Sequence, residues 1–496
     1  MKMSRRAFAA GGAAAPIAPL LKSRPVRAAE SADVVVIGAG LSGLNAAWIL
    51  TEAGYDVTVL EGASRIGGRV WSATEVETKP ELGASQVGPS YARIIDAITR
   101  LDLKMIEEDR AILPFTYHLS GQNIRAKEWV DHPLNKTVGD ERKLPPVQFA
   151  GATLAKLNPM KELEDWLTPG FAKFDVPIAQ VFREGGVSQG GMALAELTQD
   201  IHNASALGMM QESFRGLYEA RFGNASSASF PMRAQNGNAG EKVETAAAVG
   251  KWPKNIVGGT WQLIKAMSEK LKRPVQMDKQ VVAIQMDGDG ADVVTLDGAK
   301  IRAKYVISAV PFATLRNIDI TPVPDAPHND AIANLGYAET TRAFGLIKQP
   351  FWQQDGLEPS LFTDGPLRML WVLDNHKGGP GPFRCMFVMT WRAAEQVASL
   401  PAEKAPVYLI RELERIRPAS KGQVEILKYH SWGRQPLQRG CRHMFKPGQI
   451  NAFGLDMVKP IERLHIAGEH TRRLDYGMES AMEGGERAAQ EVLARL

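Results

Sequence analysis

The stretch from Asp33 to Glu61 constrains this 496-residue chain more than any other. Asp33-Val34-Val35-Val36-Ile37 is a short apolar run that reads as a buried parallel strand, and it leads straight into Gly38-Ala39-Gly40-Leu41-Ser42-Gly43. Leu44, Ala47, Trp48, Leu50 and Ala53 follow at close to helical spacing, with Gly54 as the stop. Asp56-Val57-Thr58-Val59-Leu60 is a second strand, and it ends on Glu61. A lone GxGxxG is weak, but strand, glycines, helix, strand and terminal acid arriving in order describe a βαβ dinucleotide unit. Gly38 makes the tight turn, Gly40 lets backbone approach a pyrophosphate, and Gly43 lets helix and strand pack closely. The unpaired N–H groups at the helix start favour phosphate, and Glu61 suits ribose hydroxyls without a 2′-phosphate.

Composition narrows the class. Hydrophobic residues make up 44% and charged residues 23%, the balance of a soluble globular chain. At roughly 100–200 residues per domain this length holds two or three lobes. Two cysteines, Cys385 and Cys441, cannot build a disulfide framework or a four-cysteine metal site. The nine histidines show no HExxH-type spacing, so no metal is expected. The net charge of +4 does not argue for nucleic acid, because Lys2, Arg5, Arg6, Lys22, Arg24 and Arg27 crowd the first 28 residues with no acid among them. The basic excess belongs to a leader rather than to a binding surface. Ser4-Arg5-Arg6-Ala7-Phe8, the weakly apolar run Ala9 to Leu21 and Val26-Arg27-Ala28 fit a twin-arginine export signal over residues 1–28; a basic tail that merely contains an Arg pair is the bland alternative. The run falls short of the about 20 uninterrupted apolar residues a bilayer span needs. The expectation is a periplasmic protein, exported already folded with its cofactor, with neither membrane nor nucleic acid as partner.

Residues 91 to about 247 read as mostly irregular or helical, with the turn-rich Gln235-Asn236-Gly237-Asn238-Ala239-Gly240 and no motif that carries chemistry. A helix is expected over Trp261 to Leu271, a strand over Val281-Val282-Ala283-Ile284 with a hairpin across Gly288 to Gly290, and a buried strand from Tyr305 to Val310 stopped by Pro311. His328 to about Tyr429 alternates short strands and loops, among them the Gly- and Pro-rich Lys377 to Pro382. Leu464-His465-Ile466-Ala467-Gly468-Glu469 is again a strand ending in glycine. The helix that begins near Gly477 gathers Met482, Gly485, Ala489, Val492 and Leu496 on one face. The economical reading is an α/β protein. A Rossmann-like cofactor domain is assembled from the discontinuous segments 33–90, 250–325 and 440–496, and an α+β substrate domain is built from 91–249 and 326–439.

Arg65-Ile66-Gly67-Gly68-Arg69 separates FAD from NAD: two glycines let backbone lie against a cofactor while guanidinium forks reach phosphate oxygens. Glu61 to Arg69, Glu81-Leu82-Gly83-Ala84 and Val87-Gly88-Pro89 resemble the opening of the flavin-containing amine oxidases, the monoamine and polyamine oxidase group. Pro350-Phe351-Trp352 resembles that family's strand ending in PFW. Trp432 with Gly440, Cys441 and Pro447-Gly448 resembles its flavin-edge loop. Ala467-Gly468-Glu469 with Met478-Glu479 and Gly484 to Ala489 resembles its C-terminal flavin motif. The resemblance spans nearly all of the chain after the leader. It implies FAD, with Gly38, Ala39, Gly40, Gly43 and Arg69 toward the phosphates, Glu61 on ribose and Val281 touching the adenine end through its backbone. Glu469 would hold the ribityl hydroxyls, and the helix start at Gly477 and Met478 would stabilise the negative charge that reduction places around flavin N1 and the C2 carbonyl. The implied reaction moves hydride from the carbon beside a neutral amine to flavin N5, and the imine is hydrolysed to a carbonyl and an amine or ammonia. Oxygen or a periplasmic carrier would take the electrons, and the chain leaves room for a homodimer. L-amino acid oxidase-type and desaturase or porphyrinogen-type oxidoreductases share these cofactor motifs, and a flavin-bearing binding protein without turnover is the non-enzymatic alternative.

Departures from the family pattern concentrate at the reactive end. Arg342 stands where the family usually has a lysine that holds a water near flavin N5; it can hold water but cannot act as a base, and pairing with an acid on its strand is the plain alternative. The family's two-ring amine cage is broken, with Arg442 at one ring position and Gly477 at the other, Tyr476 one place earlier, and His443 or Tyr476 able to return only through a loop shift. A more open and cationic pocket would repel a protonated amine and attract a carboxylate, which raises an amino acid or other acid-bearing amine as substrate. Cys441 stands where some members bond covalently to the flavin 8α-methyl, a link that is not favoured here because a free cysteine is commonly a small apolar packing residue. Trp432 is expected in the pocket wall, with plain core packing as its alternative.

Overall fold

The structure is a computed structural model and describes residues 30–107, 111–221, 253–373 and 381–496. The leader, the turn-rich 235–240 and most of the Lys377–Pro382 stretch lie outside the described residues.

Strand β1 (Glu30–Ile37) lies one strand in from the edge of a seven-stranded sheet, with Val34, Val35 and Val36 wholly buried. β2 (Val57–Leu60) flanks it on one side and Lys300–Ser308 on the other, both parallel. The far edge of Lys300–Ser308 changes partner along its length. Lys300 to Ala303 pair antiparallel with Gly290–Thr295, while Val306 to Ser308 pair parallel with Leu464–Ile466. A crevice forms at such switch points, at the carboxyl ends of parallel strands. Helix α1 (Leu41–Glu52) packs there against the C-terminal helix Gly477–Leu493, and Asn45 Nδ2 donates to the Met482 carbonyl at 2.9 Å. The two helices approach so closely that a Cβ at Gly485 would sit 2.3 Å from the Ser42 carbonyl oxygen. The segments around β1 and around the C-terminal helix therefore pack together on one sheet.

The second seven-stranded sheet runs in the order Val424–Ser431, Thr340–Ile347, Phe383–Thr390, Met369–Val372, Ser360–Thr363, Phe115–Leu119, Gln122–Arg125. One face carries helices Trp391–Ala398 and Ala405–Ile416, which bury Val397, Leu409, Leu413 and Ile416. The other face, with Phe344, Met386 and Val388, packs toward helices Phe149–Leu157 and Ala206–Arg221. The fold class is thus α/β, with an FAD-type domain from discontinuous segments beside a mixed sheet-and-helix lobe.

Several elements differ from the sequence reading. The region after residue 91 is not only helical: Phe115–Leu119 and Gln122–Arg125 form a hairpin that joins the second sheet. Alternating Phe115, Tyr117 and Leu119 before Ser120-Gly121 carried that signal. The stretch 328–429 is not only strands and loops, since Leu409, Leu413 and Ile416 lie at helical spacing in Ala405–Ile416. The helix at Trp261 stops at Ser268, three residues early, and the strand into Ser308 starts five residues sooner than Tyr305, at Lys300. Pro350-Phe351-Trp352 follows a strand that has already ended at Ile347 and enters the short helical turn Trp352–Asp355. Among the described residues no helix is long and apolar enough to cross a membrane, and no group of three or more His, Cys, Asp or Glu could hold a metal ion.

Candidate cofactor and active site

A cavity of about 580 Å³ opens at the switch point. Gly38, Gly40 and Ser42 wall it from the N-terminal motif, and Gly468, Glu469 and Met478 wall it from the C-terminal one. One group of lining residues surrounds Glu61: Gly62 meets Leu437 and Gln280, beside Val281. A second group brings together Arg342, Gly83, Trp432, Cys441, Arg442 and Gly477.

The first group fits the adenosine and pyrophosphate of FAD. Helix α1 begins at Gly40 with no side-chain cap, so its first amides face the cavity unsatisfied. Ser42 Oγ is buried on this wall without a partner. A Cβ at Gly40 would project toward Gly67 and Gly68, no nearer than 4.0 Å, into the space a phosphate would take. Gly43 permits nothing larger, since a Cβ there would lie 1.9 Å from the Gly38 carbonyl oxygen. Ala39 N–H donates to Glu61 Oε2 at 2.8 Å and Ala63 N–H to Oε1 at 2.9 Å, which fixes the carboxylate at the end of β2. Burial raises the Glu61 pKa even so. Val281 opens the strand Val281–Asp287 on the same wall.

Arg65 and Arg69 are placed differently from the expectation that they reach phosphates. Arg65 donates to the Ile66 and Gly68 carbonyls and stacks 4.0 Å over Trp71, so it braces its own loop. Arg69 lines the cavity but donates to Glu469 Oε2 at 2.9 Å and to the Cys441 carbonyl at 3.2 Å, joining positions four hundred residues apart. Burial opposes charge on Glu469, yet His443 and Arg69 hold its carboxyl well below the usual range. Burial lowers the His443 pKa, so the neutral ring donates from Nδ1 to Glu469 Oε1 at 2.7 Å. The neighbouring His470 is wholly buried against Phe312 and is pushed down by burial to about 3.

In the second group, Trp432 is 1% exposed, donates Nε1–H to the Leu82 carbonyl at 2.9 Å and meets His430 edge-on at 4.4 Å. It therefore serves as both cavity wall and core. Arg342 projects from Thr340–Ile347 beside its cross-strand neighbours Val388 and His430. Its one hydrogen bond among the described residues is Nη1 to the Gly83 carbonyl at 3.3 Å, its Nε is buried without a partner, and no acid pairs with it. His430 is driven down to about 4, chiefly by burial and then by the positive charge of Arg65, so it stays neutral. Arg442 lines the cavity, but Glu212 of helix Ala206–Arg221 pairs with it and also with Arg472, at 2.8 Å. Those two arginines hold Glu212 below its ordinary pKa against the cost of burial.

The family model described as flavin containing amine oxidoreductase matches residues 41–493, nearly the whole chain. The chain belongs to that family. Flavin-containing amine oxidase B of Sus scrofa is 26% identical over 469 residues, covering 93% of this chain and 86% of that protein; its Bos taurus counterpart is 28% identical over 489 residues with the same coverage. A putrescine oxidase structure with putrescine bound superposes with a TM-score of 0.69 at 24% identity, over 94% of this chain and 99% of the other. A cyclohexylamine oxidase from Brevibacterium oxydans IH-35A gives a TM-score of 0.71 at 19% identity with the same coverage, and both likenesses speak to the fold.

Within this family of flavin-dependent amine oxidoreductases the cofactor is FAD, and the residues of the cavity fit it. The reactive end departs from the sequence reading in three ways. Among the described residues no acid pairs with Arg342, in contrast to the plain alternative of a strand ion pair. Arg442 does have one, so its charge is compensated rather than presented to a substrate. Neither His443 nor Tyr476 returns to the cavity. His443 lies behind Glu469, and Tyr476 immediately precedes the C-terminal helix without capping it through its side chain, its ring edge-on to Tyr91 at 6.4 Å, leaving Gly477 on the wall. Sequence reading missed Glu212 and Arg472, because three distant stretches meet at that carboxylate.

Proposed function

We propose that this protein oxidises the C–N bond of a small amine to an imine, which water hydrolyses to a carbonyl and an amine or ammonia. The reading is carried by one observation: a single cavity is walled by the N-terminal glycine motif and by the start of the C-terminal helix. FAD bound there supplies the two-electron acceptor, taking hydride at N5. The chain's own task is to orient and desolvate the amine and to stabilise charge. Trp432, locked to Leu82, is a rigid wall for the substrate. The uncapped start of Gly477–Leu493, with Met478 on the wall, offers partial positive charge where negative charge develops. Arg342, on the cavity wall, orients substrate or water, and a guanidinium does not serve as the base. The structurally similar putrescine and cyclohexylamine oxidases support a small amine, with oxygen as one acceptor and a periplasmic carrier as the other. The Arg5-Arg6 leader supports export to the periplasm, which cell fractionation tests directly. Cys441 is the residue through which a covalent link to the flavin would form; flavin retained on acid-precipitated protein demonstrates the link and a yellow supernatant excludes it.

The test is anaerobic addition of amines to the yellow protein. At least one amine should bleach the flavin at a rate that rises with its concentration. Reduction by dithionite with no response to any amine would overturn the reading. Peroxide formation in air, set against reduction of a one-electron dye, then identifies the acceptor.

A further inference from the structure

We propose that the substrate carries a carboxylate and that Arg342 binds it. This rests on the reading of the cavity as the site of amine oxidation and deepens it by naming the substrate class.

Charge pairing around the reactive end singles out this residue. Arg69 is matched by Glu469, and Arg442 by Glu212, which Arg472 shares. The acids that line the cavity are Glu61 and Glu469. The first is held by the Ala39 and Ala63 amides beside the phosphate loop, and the second by Arg69 and His443. His430, directly across the strand from Arg342, is neutral, and Trp432 beside it is apolar on its ring face. Of the cations that line the cavity, Lys279 is paired with Asp297, and among the described residues no carboxylate answers Arg342 or Arg439; Arg439 is exposed to solvent and donates to the Pro436 carbonyl, which leaves Arg342 as the unanswered cation that is half-buried at the reactive end. Its donors are also underused, with Nε buried and unpartnered and Nη1 in one long bond to Gly83.

A buried donor without a partner costs more than a hydrogen bond returns, so such groups await an acceptor. The terminal nitrogens of a guanidinium form a planar fork that matches the two oxygens of a carboxylate. An amine lacking an acid would bring its ammonium toward an uncompensated cation, whereas an amino acid brings its own counter-charge. The acid preference expected from Arg442 in the sequence thus passes to Arg342. Contact of Arg342 with the flavin alone is the competing account, and it predicts no discrimination between acids and their neutral analogues.

Two arms on the FAD-loaded full chain separate these accounts. In the first, acetate and benzoate, with acetamide and benzamide as neutral counterparts, are titrated against the absorption spectrum of the oxidised flavin. The carboxylates should perturb it and bind at least about ten-fold more tightly than the amides. In the second, anaerobic flavin bleaching is compared for pairs that differ only in the acid: alanine and ethylamine, leucine and isoamylamine, phenylalanine and phenethylamine. Amino acids should be preferred in kcat/KM. Arg342→Met should reduce that preference at least about ten-fold, with Arg342→Lys recovering part of it. Equal binding of carboxylates and amides to the unaltered protein, or equal loss on both members of a pair in Arg342→Met, overturns the proposal while leaving amine oxidation intact. Should no amine or amino acid bleach the flavin, the oxidation reading falls, and carboxylate binding still decides what Arg342 recognises.

Discussion

At the residue scale, Glu469 ties the site together. It receives Arg69 from the N-terminal loop and His443 from the flavin-edge loop, so one carboxylate fixes two walls of the cavity. Removing its charge leaves Arg69 buried without a counter-ion, which costs about 3 kcal/mol for a pair this enclosed. Glu469→Gln should therefore be less stable by that amount, unfolding at a lower denaturant concentration, and should retain less FAD per chain. An unchanged midpoint with full flavin content would show that the pair is not stabilising. Glu469, Arg342, Trp432, Cys441 and Arg442 were all legible in sequence, because each sits in or beside a recognisable motif. The partners that decide what they do were not. Glu212 is one acid on a helix from the other lobe, and nothing near it in the chain announces that it neutralises Arg442.

At the scale of elements, two contacts carry predictions. Helix α1 can lie against β1 only because Gly43 lacks a side chain, so Gly43→Ala would drive a methyl into the Gly38 carbonyl. This variant should emerge colourless, or with under about a tenth of the normal flavin, since the phosphate loop must shift to relieve the overlap. The second contact is Glu479, in the first turn of the C-terminal helix, which accepts from the Arg93 and Ile94 amides and so docks helix Ala92–Arg100. Burial raises its carboxyl to about 7 although those amides favour the charged form, with Asp475 adding repulsion and Arg93 attraction. The unfolded carboxyl titrates near about 4.3, so the folded chain binds this proton more tightly. The stabilisation is full below that value and is lost as pH rises through about 7. Melting temperature should fall over this interval, and Glu479→Gln should flatten the fall; parallel curves for the two proteins would refute it. Elements with strong periodicity, β1, α1, β2 and the C-terminal helix, were readable within a few residues. The hairpin at Phe115 was missed although a short alternation before Ser120-Gly121 marks it; its place in the second sheet was not legible, because a strand buried on both faces owes its pairing to distant partners such as Ser360–Thr363.

For the whole molecule, the two ends of the chain and the loop near Trp432 converge on one crevice, so folding and cofactor binding are a single linked equilibrium. FAD bound to the folded state alone should add about 2.7 kcal/mol of stability at a concentration 100 times its Kd. The central claim is that sequence-distant segments grip one FAD together, and the most direct measurement is the amount of FAD recovered per chain from the purified protein after saturation and removal of excess. The account predicts one FAD per chain, lost when Gly43 is replaced although the C-terminal half of the site is untouched. A chain that stays colourless after exposure to FAD, or that keeps its full complement in Gly43→Ala, would contradict it.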